Sequence, residues 1–158
     1  MPAVVRTEPL TAHRFRPFGT VLESPRVSRQ DFAAQPVSRR ASANVNLALL
    51  RVQPVHSPLV IRQLERHRYS TQTFFPLELD RYLVVVCRAT SKEEPDLETI
   101  LAFECSAGQA VQYDTGTWHA AINGIGGEAV FAMLIYEDGT AGDCEIRDVL
   151  PFQVVLTD

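Results

Sequence analysis

At 158 residues, 46% hydrophobic and 22% charged, the chain has the length and make-up of one soluble globular domain, residues 1–158, able to bury its own core. A formal charge of −4 gives no electrostatic case for nucleic acid or an anionic membrane, and no stretch approaches membrane-spanning length. Lys92, the only lysine, stands in the polar run Ser91 to Glu94, so it reads as a solvated loop residue rather than a Schiff-base former.

Cys87, Cys105 and Cys144 are odd in number and far apart, which excludes a zinc knuckle or paired redox motif and fits free thiols in a reducing compartment. Arg6 and Glu8 occupy positions where a signal peptide would need an apolar run, so the expected location is cytoplasmic.

In chain order, Ala3 to Val5 reads as a first strand, and Leu10 to Gly19 as a short helix capped by Thr11 and ended at Gly19. Residues 24–44 show no sustained period and read as a long loop, in which Arg29, Arg39 and Arg40 are candidates for binding a carboxylate but read first as solvated charge. Extended segments follow at Val45 to Val52, Val60 to Leu64, Thr73 to Phe75 and Tyr82 to Cys87. Asp96 reads as the cap of a second helix over Leu97 to Phe103, because Leu97, Ile100 and Leu101 recur at helical spacing. Further strands are expected before and after the turn at Asp114 to Gly116, at Ala129 to Tyr136 and at Phe152 to Leu156. Eight to ten strands, two short helices, and no phosphate loop, nucleophile elbow or βα repeat predict an all-β barrel or sandwich.

Small barrels hold ligands among inward-facing side chains, so polar groups inside apolar strands mark the candidate site. Glu65 and His67 are two apart and share a strand face, Gln72 opens the next apolar segment, and His119 follows the Asp114 to Gly116 turn.

The spacing Gly108-x5-Asp114-x-Gly116-x2-His119-x3-Asn123 resembles the second motif of the cupin superfamily, with Asp114 in place of the usual proline. Glu65-x-His67-x4-Gln72 occupies the spacing of the first motif, whose terminal glycine has no match near Leu79 and Asp80. Leu64 to His67, Thr71-Gln72-x-Phe74-x-Pro76, Tyr82-x-Val84-Val85-Val86, Pro95-Asp96-Leu97 and Gly116-x-Trp118-His119 together resemble the ureidoglycolate lyase family. That family usually carries a second histidine where Ala120 stands, and an arginine and a histidine-aspartate pair in the region of residues 40–46, where this chain has Ala43-Asn44-Val45-Asn46.

The resemblance implies a cupin-like jelly-roll β-barrel with one or two short helices, a homodimer, and a small carboxylate as substrate. It implies cleavage of ureidoglycolate to glyoxylate and urea in allantoin degradation, with no organic cofactor. A divalent metal of unspecified identity would sit on Glu65, His67, Gln72 and His119. In a metal-free version His67 or His119 acts as base while Arg81 clamps the carboxylate. His67 and His119 are thus the expected catalytic residues, and Arg81, Tyr113 and Trp118 the expected substrate-binding ones. The competing readings are a non-catalytic cupin that senses a small acid, and a cupin isomerase or dioxygenase with another substrate.

Overall fold

A computed structural model of the chain describes residues 3–32 and 35–157. Among these residues are twelve strands and one α-helical turn. In order they are β1 (Ala3–Pro9), α1 (Ala12–Phe15), β2 (Gly19–Glu23), β3 (Asn44–Val52), β4 (Leu59–Arg66), β5 (Gln72–Glu78) and β6 (Arg81–Ala89). Then come β7 (Pro95–Ser106), β8 (Gln109–Tyr113), β9 (Trp118–His119), β10 (Asn123–Ile125), β11 (Ala129–Glu137), a 3-10 turn (Ala141–Asp143) and β12 (Glu145–Val155).

One sheet runs β10-β6-β7-β1-β12-β4-β9, and β9 also pairs with β6, so six of its strands close into a ring. The second sheet, β2-β8-β5-β11-β3, packs against the β6 and β7 side of that ring. The result is the all-β, cupin-like barrel expected, with two separate cores. Leu64, Val85, Cys87, Ala102, Trp118 and Phe152 come from strands around the ring and fill its interior. Tyr82, Val84, Val86 and Phe103 point the other way, towards Phe74, Val111, Tyr113 and Phe131 of the second sheet. Edge-to-face ring pairs lock this second core, among them Tyr82 on Phe131 at 5.1 Å and Phe15 on Phe103 at 5.9 Å.

Helix α1 starts as expected, with the Thr11 hydroxyl accepting a hydrogen bond from the Arg14 amide. It is only four residues long, and Gly19 opens β2 rather than ending the helix. A Cβ at Gly19 would fall 1.9 Å from the Gln112 carbonyl oxygen, so glycine is what lets β2 reach β8. The loop across 24–44 is as expected, although residues 33 and 34 lie outside the described residues.

The expected helix over Leu97 to Phe103 is instead part of β7, hydrogen-bonded to β6 on one side and β1 on the other. The reason is burial on both faces: Phe103 and Cys105 enter the core between the sheets, while Ile100 and Ala102 enter the ring. A strand apolar on both faces loses the two-residue alternation, and its apolar positions then mimic helical spacing.

Candidate metal and active site

The site is built on one row of residues across the ring wall. Glu65 on β4 faces His119 on β9, and His119 faces Val86 on β6. Side chains opposite one another in a ladder leave the sheet on the same face. Val86 belongs to the core between the sheets, so Glu65 and His119 project there as well. His119 stacks on Tyr113 of the opposing sheet, with ring centres 4.3 Å apart and planes 17° from parallel. The Asp114 to Thr117 turn delivers the chain into β9. Gly116 supplies its positive φ of 80°, and the Gly116 amide donates to the His67 carbonyl at 2.8 Å.

His67 follows the last residue of β4 and brings its ring to 5.5 Å from that of His119. One ligand atom from each of Glu65, His67 and His119 lies within 4.8 Å of the other two. Two backbone carbonyls fix the histidine tautomers. His67 Nδ1 lies 2.8 Å from the Asp143 carbonyl, and His119 Nδ1 lies 2.9 Å from the Thr117 carbonyl. A carbonyl only accepts, so each Nδ1 carries hydrogen and each Nε2 presents a lone pair.

Those lone pairs have nothing to accept. Among the described residues, His67 Nε2 and His119 Nε2 are buried without a hydrogen-bond partner. His119 Nε2 sits 3.3 Å from Glu65 Oε1 without an aligned hydrogen bond, so two electron-rich atoms face each other. Buried polar atoms left unpaired cost about 1–3 kcal/mol each, and a cation between them removes that cost. A single proton on His119 would satisfy its contact with Glu65 but leave His67 Nε2 alone. A divalent metal answers all three donors, and carbonyl-anchored imidazoles are the usual outer support of metal-bound histidine. The residues therefore fit such an ion.

Electrostatics agree. A positive donor at the His119 position lowers the Glu65 carboxyl below its ordinary value against the opposing effect of burial, and a bound cation would act in the same direction. Burial and, next, His119 push His67 below its ordinary value, which favours the neutral ring that donates a lone pair. Burial pushes Tyr113 well above its ordinary value, so its hydroxyl stays protonated.

Gln72 lies opposite Tyr113 on β5 and so leaves that sheet on the same face. Its amide nitrogen donates to Met133 Sδ at 3.2 Å, while Oε1 is buried without a partner, as is the Tyr113 hydroxyl. Two expected substrate-binding residues stand elsewhere. Arg81 opens β6, five residues before Val86, which is about 17 Å of strand, and its guanidinium pairs with Glu104 at 2.6 Å. Trp118 alternates with His119 and enters the ring, where its indole donates to the Glu93 carbonyl and the Arg66 guanidinium lies 4.5 Å above its ring.

Ala120 also packs in the ring core, on the opposite side of the wall from His119. A histidine at that position would not face this pocket, so the alanine removes no ligand from it. Asn46, in the other departing segment, donates to Glu137 at 2.7 Å. A cleft of about 650 Å³ lies along the Asp114 to Thr117 turn with Arg39 and Arg88, but neither histidine lines it. The triad meets solvent instead through Glu65, whose side chain is 33% exposed.

Sequence reasoning missed the groups that hold the triad. The Asp143 and Thr117 carbonyls are main-chain atoms, which no residue pattern announces. Cys144, with Sγ 3.8 Å from Glu65 Oε2, directly follows Asp143 in the chain. The turn carrying Asp143 is pinned by Asp138, whose carboxyl is held down to about 2 by the Thr140 and Ser42 hydroxyls, the Thr140 amide and Arg40. A carboxyl lowered in the folded state contributes stability above its unfolded value of 3.8 and loses it as pH falls towards about 2. Thermal melts across that window should therefore show a steeper acid loss for the native protein than for Asp138→Asn.

A two-sheet β-barrel that brings two histidines and a carboxylate together on its inner wall defines a β-barrel protein with a candidate metal site. The family model described as ureidoglycolate lyase matches residues 2–155. The chain belongs to the ureidoglycolate lyase family. It is 34% identical over 156 residues to the putative ureidoglycolate lyase of Agrobacterium fabrum, covering 98% of this chain and 96% of that one. It is also 34% identical over 146 residues to the ureidoglycolate lyase of Chelativorans sp., covering 86% of each. Among solved structures, Bacillus subtilis oxalate decarboxylase superposes with a TM-score of 0.44 at 16% identity, over 84% of this chain and 28% of that one.

Proposed function

We propose that the protein is a ureidoglycolate lyase, cleaving ureidoglycolate to glyoxylate and urea with a divalent metal held by Glu65, His67 and His119. The observation that carries this is the meeting of three donor groups within 4.8 Å, with both histidine Nε2 atoms buried and unpaired. Family membership supplies the substrate. Nitrogen and oxygen donors suit Mn²⁺, Fe²⁺, Ni²⁺ or Zn²⁺.

Ureidoglycolate carries a hydroxyl, a carboxylate and a urea nitrogen on one carbon. In the reaction the hydroxyl loses its proton, the oxygen becomes the aldehyde carbonyl, and the carbon–nitrogen bond breaks. The bond's electron pair and a proton go to the departing urea. A bound metal would supply a positive centre for the hydroxyl and carboxylate oxygens.

His67 and His119 are the catalytic residues that hold that centre, and Gln72 adds a neutral oxygen donor. Glu65, the partly exposed member of the triad, has Oε2 3.8 Å from the Cys144 thiol and carries the proton from the hydroxyl to the departing nitrogen. The protonated Tyr113 hydroxyl is the donor for a substrate oxygen. Arg81 and Trp118 have no part in this reading.

Purified protein should release urea and glyoxylate from ureidoglycolate, lose that activity on exhaustive chelation and regain it with Mn²⁺. Absence of turnover with each of the four metals would refute the assignment. Saturable binding of the acid without urea would point to a sensor.

The same reading places one domain over residues 1–158 in allantoin degradation, in the cytoplasm, where the free thiols of Cys87, Cys105 and Cys144 fit a reducing milieu. It also makes the protein a homodimer. Edge strand β3 exposes Val45, Leu47 and Leu49, and β5, on the far side of β11 in the same sheet, exposes Phe75 and Leu77, an apolar face of the kind that a second copy covers. Sedimentation velocity reads that state.

A further inference from the structure

His67 lies just past the end of β4, so strand pairing does not fix its ring. The ring depends on the Asp143 carbonyl, and Asp143 ends a 3-10 turn of only three residues. That turn is held chiefly by side chains. The Asp143 carboxylate accepts the Asp138 and Gly139 amides at 3.0 and 2.7 Å. Arg40 then forks across the turn: Nη2 donates to Asp143 Oδ1, and Nη1 donates to Asp138 Oδ1 at 3.0 Å. Ser42 donates to the second Asp138 oxygen at 2.8 Å, and the guanidinium lies 5.3 Å from the Tyr69 ring centre. The three charged side chains are only 12–15% exposed. Among the described residues, no other cation pairs with either aspartate.

We propose that Arg40 is a positioning residue for His67, acting through the Asp138 to Asp143 turn to keep the Asp143 carbonyl on Nδ1 and the Nε2 lone pair facing the site. This rests on reading His67 as a metal ligand, and it gives Arg40 a role different from binding a substrate carboxylate. Two carboxylates brought together on one short turn repel, and a single guanidinium bridging them removes that repulsion while setting their spacing. Without the bridge the turn relaxes, the Asp143 carbonyl moves off Nδ1, and His67 is free to put a hydrogen on Nε2, which blocks a ligand position. A lysine restores the charge but not the planar fork, so it does not restore the geometry.

The test is long-range ¹H–¹⁵N NMR of the histidine rings in the full chain after chelation, paired with Mn²⁺ titration. In the native protein His67 and His119 both show a single Nδ1–H form. In Arg40→Ala and Arg40→Lys, His67 should lose that single form, while His119, held by the Thr117 carbonyl, keeps it and reports an intact fold. Mn²⁺ affinity should fall about 10-fold or more in both variants. Asp143→Asn keeps the carbonyl but cuts the ion pair, so it gives the same readout should Arg40→Ala fail to fold. A folded Arg40→Ala or Asp143→Asn protein with an unchanged His67 tautomer and Mn²⁺ affinity overturns the proposal. Native protein that binds no Mn²⁺ yet shows the tautomer change upholds the role of Arg40 and overturns the metal triad instead.

Discussion

Replacing His119 by alanine should lower urea release from ureidoglycolate by about 1,000-fold, the middle of the range for losing a group that acts on the reacting proton or its metal. No neighbour can take its place. His119 is 2% exposed, stacked on Tyr113 and directly opposite Glu65. Its removal takes away one of the three donors and leaves Glu65 without the ring that faces it across the ladder. The strand carrying it stays paired, because Ala120 donates its amide to the Val85 carbonyl and Trp118 remains in the ring core. Circular dichroism should therefore report a folded protein. Steady-state kinetics should place the loss in kcat, since the group acts on the reaction rather than on remote binding. A variant retaining a tenth or more of native kcat would exclude His119 from the chemistry.

Trp118→Ala should do the reverse, costing about 3–5 kcal/mol of stability while KM in the surviving folded fraction stays near native. The side chain is completely buried inside the ring, against a core that includes Leu64, Val85 and Cys87. It also carries the Arg66 guanidinium, a contact worth about 2 kcal/mol when desolvated. Arg66 itself is 1% exposed and pairs with Glu93 and Glu145, so losing the indole leaves a buried charge beside a cavity. Urea denaturation measures the stability loss. A large rise in KM with little change in stability would return Trp118 to the pocket wall, where the sequence alone had put it.

These two neighbours show how far the sequence was legible. The turn built on Asp114 and Gly116 is readable because glycine at positive φ and a short polar reversal have local causes. The alternation rule then says that Trp118 and His119 face opposite ways, but not which way faces the site. That choice depends on β9 pairing with both β4 and β6, a non-local closure that residue types do not encode in any window. Glu65 and His67 were legible as a pair because their spacing survives the strand end. Arg81 was misplaced because an arginine in a turn says nothing about which end of a barrel the turn occupies. The strand at Leu97 to Phe103 was read as a helix because a residue row shared between two cores loses its period. Arg40 looked like solvated charge because its partners lie 98 and 103 positions away.

The proposed reaction depends on a divalent metal held by Glu65, His67 and His119. Elemental analysis after loading with Mn²⁺ and desalting tests it most directly. The native protein should retain about one ion per chain, and His67→Ala should retain almost none. Equal retention by the two proteins, or full activity in native protein stripped of metal, would contradict it.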